Sequence, residues 1–416
     1  MTDIFDRLIE RVLEPKNREV RDLVARGGLY DNVTTGIRGR KVEIGGRWFL
    51  DFASCNYLGL DLDPRIIAAV EPELRRWGTH PSWARLCCSP DLYEALERRL
   101  ADLVGTEDAL VLPTISLIAV GLIPAVTCKG ALIAADKFVH KVNHDGCRLA
   151  RDMNGAVLAS FRHDDPASLD ALLDAHRDAP MRLVVIDGVL SVTGRVPNLR
   201  AIVDVCRKHD ALVYIDDAHG FGVLGEGPTP ERPFGRRGNG VIRHLDLGYD
   251  NVLYVSGLSK AYSSLAAFIA CPRKLKTFLK CTVTSYAVSG PVPTAALATA
   301  LAGLALNDVE GDTWRDTLHA YTTAILEGYR ALGIPTDNDN GFPIVSAYVG
   351  SAERVRRGGE LLCEAGINVT LQGYPLVPRD KGVLRATPTA ANTWDEVHTL
   401  IRVMGDVHAR LAAEGV

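Results

Sequence analysis

Four short stretches of the 416-residue chain carry side chains suited to covalent and proton-transfer chemistry, and each follows an apolar run. They are Asp136-Lys-Phe-Val-His140, Asp187-Gly-Val-Leu-Ser191, Asp216-Asp-Ala-His219 and Ser256-Gly-Leu-Ser259-Lys260. A lysine at the end of a buried strand is costly to keep charged and shifts its pKa readily, which suits an amine that condenses with a carbonyl. An aspartate closing the apolar run Ala211-Leu-Val-Tyr-Ile215 stays charged only beside a cation, so Asp216 faces either a protonated base or a metal ion. A lysine amine, an aspartate for a protonated ring nitrogen, a flat side chain for stacking and hydroxyls at a helix N-terminus are together the parts of a pyridoxal phosphate site.

The elements that must position these groups follow from hydrophobic periodicity. Short apolar runs at 109–112, 131–134, 156–159, 182–186, 211–215 and 251–255 read as buried strands. Helical spacing lies between them at 64–77, 90–103, 114–122, 139–149, 166–176 and 199–209. Apolar strands alternating with helices predict a mainly parallel sheet covered on both faces, with ligands beyond the C-terminal strand ends. Residues 3–27 carry a helical stripe that includes Val20, Leu23 and Val24, and residues 40–52 alternate about Gly45-Gly46 as a hairpin. After Thr294 comes a mixture of short strands (343–347, 368–371, 383–386) and helices (352–364, 393–412). The expected division is an N-terminal arm at 1–45, a large domain at 46–293 and a smaller α/β domain at 294–416.

Composition narrows the partners. At 47% hydrophobic and 24% charged, the chain is long enough for two domains. Lysine plus arginine number 47 against 51 for aspartate plus glutamate, and the net charge of -4 gives no reason to expect nucleic acid or an anionic membrane. Nine cysteines, with Cys87 and Cys88 adjacent and no Cys-x-x-Cys pair, predict reduced thiols in a cytoplasmic protein and no metal site. The N-terminus lacks an apolar signal core, and the runs 115–126 and 295–306 fall short of a membrane span.

From about Arg47 to the C-terminal helix the chain resembles the α-oxoamine synthases, fold-type I pyridoxal phosphate enzymes that condense an amino acid with an acyl-CoA. Asn56-Tyr-Leu-Gly-Leu60 matches the family's entry motif, and Asp136, His140 and Gly146 fit its Asp-x-x-x-His-x-x-x-x-x-Gly segment. His163-Asp-Asp165 stands where the family has His-Asn-Asp. Asp187-Gly-Val-Leu-Ser191-Val-Thr-Gly194 is similar to Glu-x-x-x-Ser-x-x-Gly, and Asp216-Asp-Ala-His219-Gly-x-Gly to Asp-Glu-Ala-His-Gly-x-Gly. The resemblance implies a mainly parallel, seven-stranded type of sheet with helices on both faces, a smaller C-terminal α/β domain and a homodimer. It implies Lys260 as the Schiff-base lysine, Asp216 facing the pyridinium nitrogen, His140 stacked on the ring, His219 at its phenolic oxygen and Ser191 beside it. By the same reasoning Thr114, Ile115 and Ser116, with Ser256 and Ser259, receive the phosphate, while Asn56 and Arg385 meet the substrate.

The departures from the family pattern cluster around the second substrate. The phosphate loop, typically Ser-Gly-aromatic-x-Ala-Asn, is Thr114-Ile-Ser-Leu-Ile-Ala119. Gly257 replaces a threonine, Ser263, Ala266 and Ala267 replace glycines, and Tyr93 replaces a histidine. An insertion at 228–237 adds Arg232, Arg236 and Arg237; a solvated loop is the favoured reading, and binding the phosphates of a nucleotide-bearing co-substrate is the other. The expected function is a C–C bond-forming transferase that activates an amino acid as a quinonoid carbanion and joins it to an acyl-CoA. The alternatives are γ-elimination, γ-replacement or annulation on S-adenosylmethionine or another bulky amino acid with a non-CoA electrophile, and transamination. A non-catalytic partner subunit is disfavoured by the presence of Lys260.

Overall fold

The structure, a computed structural model, describes residues 3–12, 28–374 and 376–415. The expected stripe at Val20, Leu23 and Val24 lies outside the described residues, while its beginning is a helix, α1 (Ile4–Val12). The chain divides into two compact units, residues 56–320 and the pair of segments 1–55 and 321–416. A single long helix, Thr294–Ala331, runs across the second boundary.

The larger unit is built on one seven-stranded sheet. Its strands are β4 (Asp108–Leu112), β5 (Leu132–Asp136), β6 (Val157–Phe161), β7 (Arg182–Asp187), β8 (Leu212–Asp216), β9 (Val252–Gly257) and β10 (Ala267–Cys271), in the order β4-β10-β9-β8-β7-β5-β6. The strands from β9 through β8, β7 and β5 to β6 are parallel, and β10 is antiparallel to both β9 and β4. Every residue of β5, β9 and β10 is buried, as a sheet with helices on both faces requires. Only the edge strand β6 shows exposed positions. The sequence reading missed β10, whose Ala-Phe-Ile-Ala-Cys run returns directly from the turn that holds Lys260.

Helices α2 (Asp91–Val104), α3 (Ile115–Ala125) and α4 (Lys141–Asn154) pack in this unit. Ile118, Leu122 and Ile123 of α3 and Cys147 and Ala150 of α4 share one core with Ile133, Val185, Tyr214 and Val255 of the sheet. The two helices approach closely at Gly146, where an added Cβ would stand 2.5 Å from the Ala119 carbonyl oxygen and 3.0 Å from Ile123 Cδ1. In the second unit β1 (Thr34–Arg38), β2 (Lys41–Ile44), β3 (Arg47–Asp51) and β12 (Ile367–Asn368) form one sheet, and β11 (Val345–Gly350), β14 (Gly382–Ala386) and β13 (Thr370–Gln372) form another. The predicted hairpin is β2 with β3, paired Lys41 to Leu50 and Ile44 to Arg47.

One buried carboxylate belongs to the frame rather than to a strand end. Asp217 accepts hydrogen bonds from the Tyr254 hydroxyl at 2.7 Å and the Val241 amide at 2.8 Å, and burial pushes its carboxyl up to about 7. A carboxyl whose proton is held more tightly in the folded chain stabilises the fold fully below its unfolded pKa and loses that contribution as pH rises through the folded value. We expect wild-type stability to fall between about pH 4 and 7, by on the order of a few kcal/mol, relative to Asp217→Asn. Parallel urea-unfolding series for the two proteins across that window would contradict this. Gly146→Ala should cost about 1–3 kcal/mol by forcing α3 and α4 apart, measurable as a lower midpoint in the same titration.

Candidate active site

The parallel register brings two carboxylates side by side, because Asp187 at the end of β7 is the partner of Asp216 at the end of β8. Both are buried. One amide lies between them: Asn143 Nδ2 donates to Asp187 Oδ1 at 3.1 Å and to Asp216 Oδ2 at 2.8 Å. The Tyr214 hydroxyl donates to Asn143 Oδ1 at 3.1 Å, and the Ala218 amide donates to Asp216 Oδ1 at 3.0 Å. Asp187 also accepts the His140 backbone amide, at 3.0 and 3.2 Å. Burial, and then the neighbouring Asp216 charge, hold the Asp187 carboxyl well above the usual carboxylate range.

His140 caps α4, its Nδ1 accepting from the Val142 amide at 3.3 Å, and its ring remains exposed. Partial burial lowers its basicity most; Asp216 acts in the opposite direction and Lys260 in the same one. Both Asp216 and Lys260 thus lie within electrostatic reach of this imidazole. Asp136 pins the turn that leads to His140, accepting from the Phe138 amide at 2.7 Å and pairing with His163 Nδ1 at 3.0 Å. Phe138 stacks on His163 at 4.7 Å.

Lys260, half-buried, sits in a tight turn after β9, in which the Ser263 amide donates to the Lys260 carbonyl at 3.1 Å and the Ser264 amide to the Leu258 carbonyl at 3.1 Å. Ser263 adopts φ 50, a left-handed conformation that explains why glycine suits this position in the resembled family. Its hydroxyl bonds to Asn56 Oδ1, and the next residue, Tyr57, hydrogen-bonds His219 Nδ1 at 2.7 Å. The Asn56-Tyr57 segment therefore ties the turn of Lys260 to the turn that follows Asp216.

At the other end of the site Thr114 is the N-cap of α3, its hydroxyl accepting from the Leu117 amide at 3.2 Å, with Ile115 and Ser116 in the first helical turn. A Cβ at Gly257 would only touch its surroundings, 3.7 Å from Ile115 Cδ1 and 3.7 Å from Ser259 Oγ. The end of β9 thus lies beside the N-terminus of α3. Ser256 is fully buried, and its hydroxyl donates to the Asp217 carbonyl at 2.9 Å. Ser259 is exposed and Ser191 half-buried, each in a turn just beyond its strand.

In the second unit Arg385 on β14 is buried, with Nη2 3.3 Å from Thr370 Oγ1 and 3.7 Å from Cys55 Sγ. The inserted loop is folded, with bridges between Glu226 and Arg236 and between Thr229 and Arg232. Arg232 pairs with Asp316 at 2.7 Å, and Arg237 approaches Glu226 at 3.5 Å. These two arginines face carboxylates of this chain. Asn143 was not singled out from sequence, and Tyr57 and Ser263 stood there only within the entry motif and among the departures from the family pattern. Asn143 carried a signal as a polar residue three positions after His140 on a helix that packs on the sheet.

The aminotransferase class I and II family matches residues 48–404. An 8-amino-7-oxononanoate synthase of Geobacter sulfurreducens is 32% identical over 388 residues, 92% of this chain and 95% of that protein. One from Pseudomonas putida is 32% identical over 377 residues, 90% of this chain and 92% of that protein. The solved structure of Sphingomonas wittichii serine palmitoyltransferase shares the fold, with a TM-score of 0.88 at 24% identity over 99% of this chain and 100% of that one. The residues present fit the cofactor of such enzymes: a buried carboxylate at a strand end wants a cationic partner, a helix N-terminus capped by Thr114 lies beside Gly257 of β9, and an amine stands in the next turn. Family, fold and donor set agree, and the chain belongs to the aminotransferase class I and II family, in its α-oxoamine synthase branch, with pyridoxal 5'-phosphate as its cofactor.

Proposed function

We propose that the protein is a transferase that joins the α-carbon of an amino acid to the acyl group of an acyl-CoA. The observation that carries this reading is the convergence of Asp216, His140, His219 and Lys260 at the C-terminal edge of one sheet. When bound, pyridoxal phosphate withdraws the electron pair left at the α-carbon of the amino acid. The role of this chain is to hold it and move protons. Asp216 sits where a carboxylate keeps the ring nitrogen protonated. His140, its basicity lowered by burial, offers a neutral imidazole face for stacking at pH 7. The Tyr57 hydroxyl pairs with His219 Nδ1 and so orients the imidazole that serves the phenolic oxygen.

Thr114, Ile115 and Ser116 at the N-terminus of α3, with Ser256, Ser259 and Ser191 nearby, complete the cofactor site, and Asn56 and Arg385 serve the amino-acid substrate. Lys260 is the amine that would hold the cofactor, and it would serve as the base that takes the α-proton. A C–C bond then forms to the acyl carbonyl and the C–S bond breaks, the thiolate taking the proton carried by Lys260 to leave as the free thiol; where the substrate carboxylate departs as carbon dioxide, a proton from water takes its place at the α-carbon. Arg385 grips that carboxylate through its planar guanidinium. A nucleotide-bearing amino acid finds no support in the insertion, where Arg232 and Arg237 already face carboxylates. The reading includes a homodimer acting in the cytosol, in keeping with nine cysteines that are all free thiols.

Borohydride reduction of the holoenzyme should place a pyridoxyl label on Lys260, found by peptide mass spectrometry. A thiol-release assay over amino acids and acyl-CoAs should find at least one active pair, and Lys260→Ala should lower that rate by roughly a thousandfold or more. An oxo-acid product without thiol release would replace this reading with transamination. Arg385→Lys should raise KM for the amino acid roughly tenfold, since an ammonium cannot grip a carboxylate bidentately; an unchanged KM would remove Arg385 from the site.

A further inference from the structure

Asn143 is fully buried, yet every polar atom of its side chain is used. Its two N–H groups go to two different carboxylates, and its oxygen accepts from Tyr214. The orientation is not arbitrary. A flipped amide would set its oxygen between two acidic side chains and give up both N–H bonds to them in a dry core. Tyr214, buried on β8 two residues before Asp216, donates to the amide oxygen, which faces away from the acids.

The facing acid matters as well. The resembled motif has glutamate where this chain has Asp187, one methylene shorter. Asp187 spends its oxygens on the His140 backbone amide and on Asn143. One amide therefore joins the carboxylate expected at the ring nitrogen to the acid that carries the backbone of the expected ring-stacking residue.

We propose that Asn143 is a positioning residue for the cofactor ring: its amide, held by Tyr214, fixes the Asp216 carboxylate toward the ring nitrogen and locks it to Asp187 and the His140 turn. This rests on the reading that Asp216 faces that nitrogen. A like pair of buried carboxylates is stable only with donors between them and with one proton retained, and the tight hold of Asp187 on its proton agrees with that arrangement. The hydrogen bond from Asn143 keeps the remaining acid aligned while leaving it lone pairs for a protonated ring.

The test compares two cofactors on reconstituted holoenzyme, pyridoxal 5'-phosphate and its 1-deaza analogue, which lacks the ring nitrogen. Asn143→Leu should weaken pyridoxal phosphate by roughly tenfold, the effect of one lost charge-assisted hydrogen bond, and leave the deaza analogue within about twofold of wild type. Tyr214→Phe keeps the buried ring and should shift the affinity ratio in the same direction by a smaller factor, which keeps the proposal testable if Asn143→Leu does not fold. Equal weakening of both cofactors would make Asn143 a merely structural residue and overturn the proposal. Asp216→Asn separates the two failures. If it changes the ratio while neither Asn143→Leu nor Tyr214→Phe does, the inference alone is wrong; if Asp216→Asn leaves the ratio unchanged, the assignment of Asp216 and the inference fall together.

Discussion

Asp187 and Asp216 end neighbouring parallel strands in register, so their backbones stand about 4.8 Å apart and their side chains leave the sheet on the same face. Two acids that close, cut off from water, repel each other and lose solvation together. The chain meets this constraint with one amide, one tyrosine hydroxyl and two backbone N–H groups, and burial beside Asp216 holds the Asp187 carboxyl well above the usual carboxylate range. The result is an organised acidic patch at the mouth of an apolar sheet. Such a patch is unfavourable for stability alone and useful for holding a cationic ring.

The rest of the larger unit can be understood as support for that patch. Helix α4 must start at His140 for Asn143 to reach both acids one turn later, and Asp136 with His163 fixes the turn before it. The close approach of α3 and α4 at Gly146 ties the helix N-terminus at Thr114 to the helix that carries His140 and Asn143. On the other side of Asp216, Tyr57 and Asn56 hold His219 and Ser263, so the turns after β8 and β9 are joined by side-chain hydrogen bonds. Lys260 is placed by this frame and not by contacts of its own turn alone.

Much of this was legible from residues. Apolar runs of four to six residues located six of the seven strands, because burial on both faces leaves no alternation to confuse with a helix, and the motif residues mark the strand ends. What was not legible has physical causes. Strand β10 follows a tight turn with Ser263 in a conformation glycine usually supplies, so no glycine signalled the reversal. The division between units falls inside one helix, Thr294–Ala331, where periodicity has no break to report. Asn143 was marked only as a polar residue on a sheet-packed helix, because its role depends on strand register, which places two acids 29 residues apart in sequence on either side of it. The carboxylates that Arg232 and Arg237 face, Asp312, Asp316 and Glu226, come together with them only in the fold.

The central claim is that this strand-end constellation makes the α-carbon of an amino acid acidic, whichever acyl group follows. Solvent deuterium exchange tests it most directly, with the holoenzyme incubated in deuterium oxide with single amino acids and the α-position followed by proton NMR. The account predicts exchange of the α-hydrogen for at least one amino acid with wild type, and its loss in Lys260→Ala. No exchange for any amino acid by wild-type protein carrying its full complement of cofactor would contradict it.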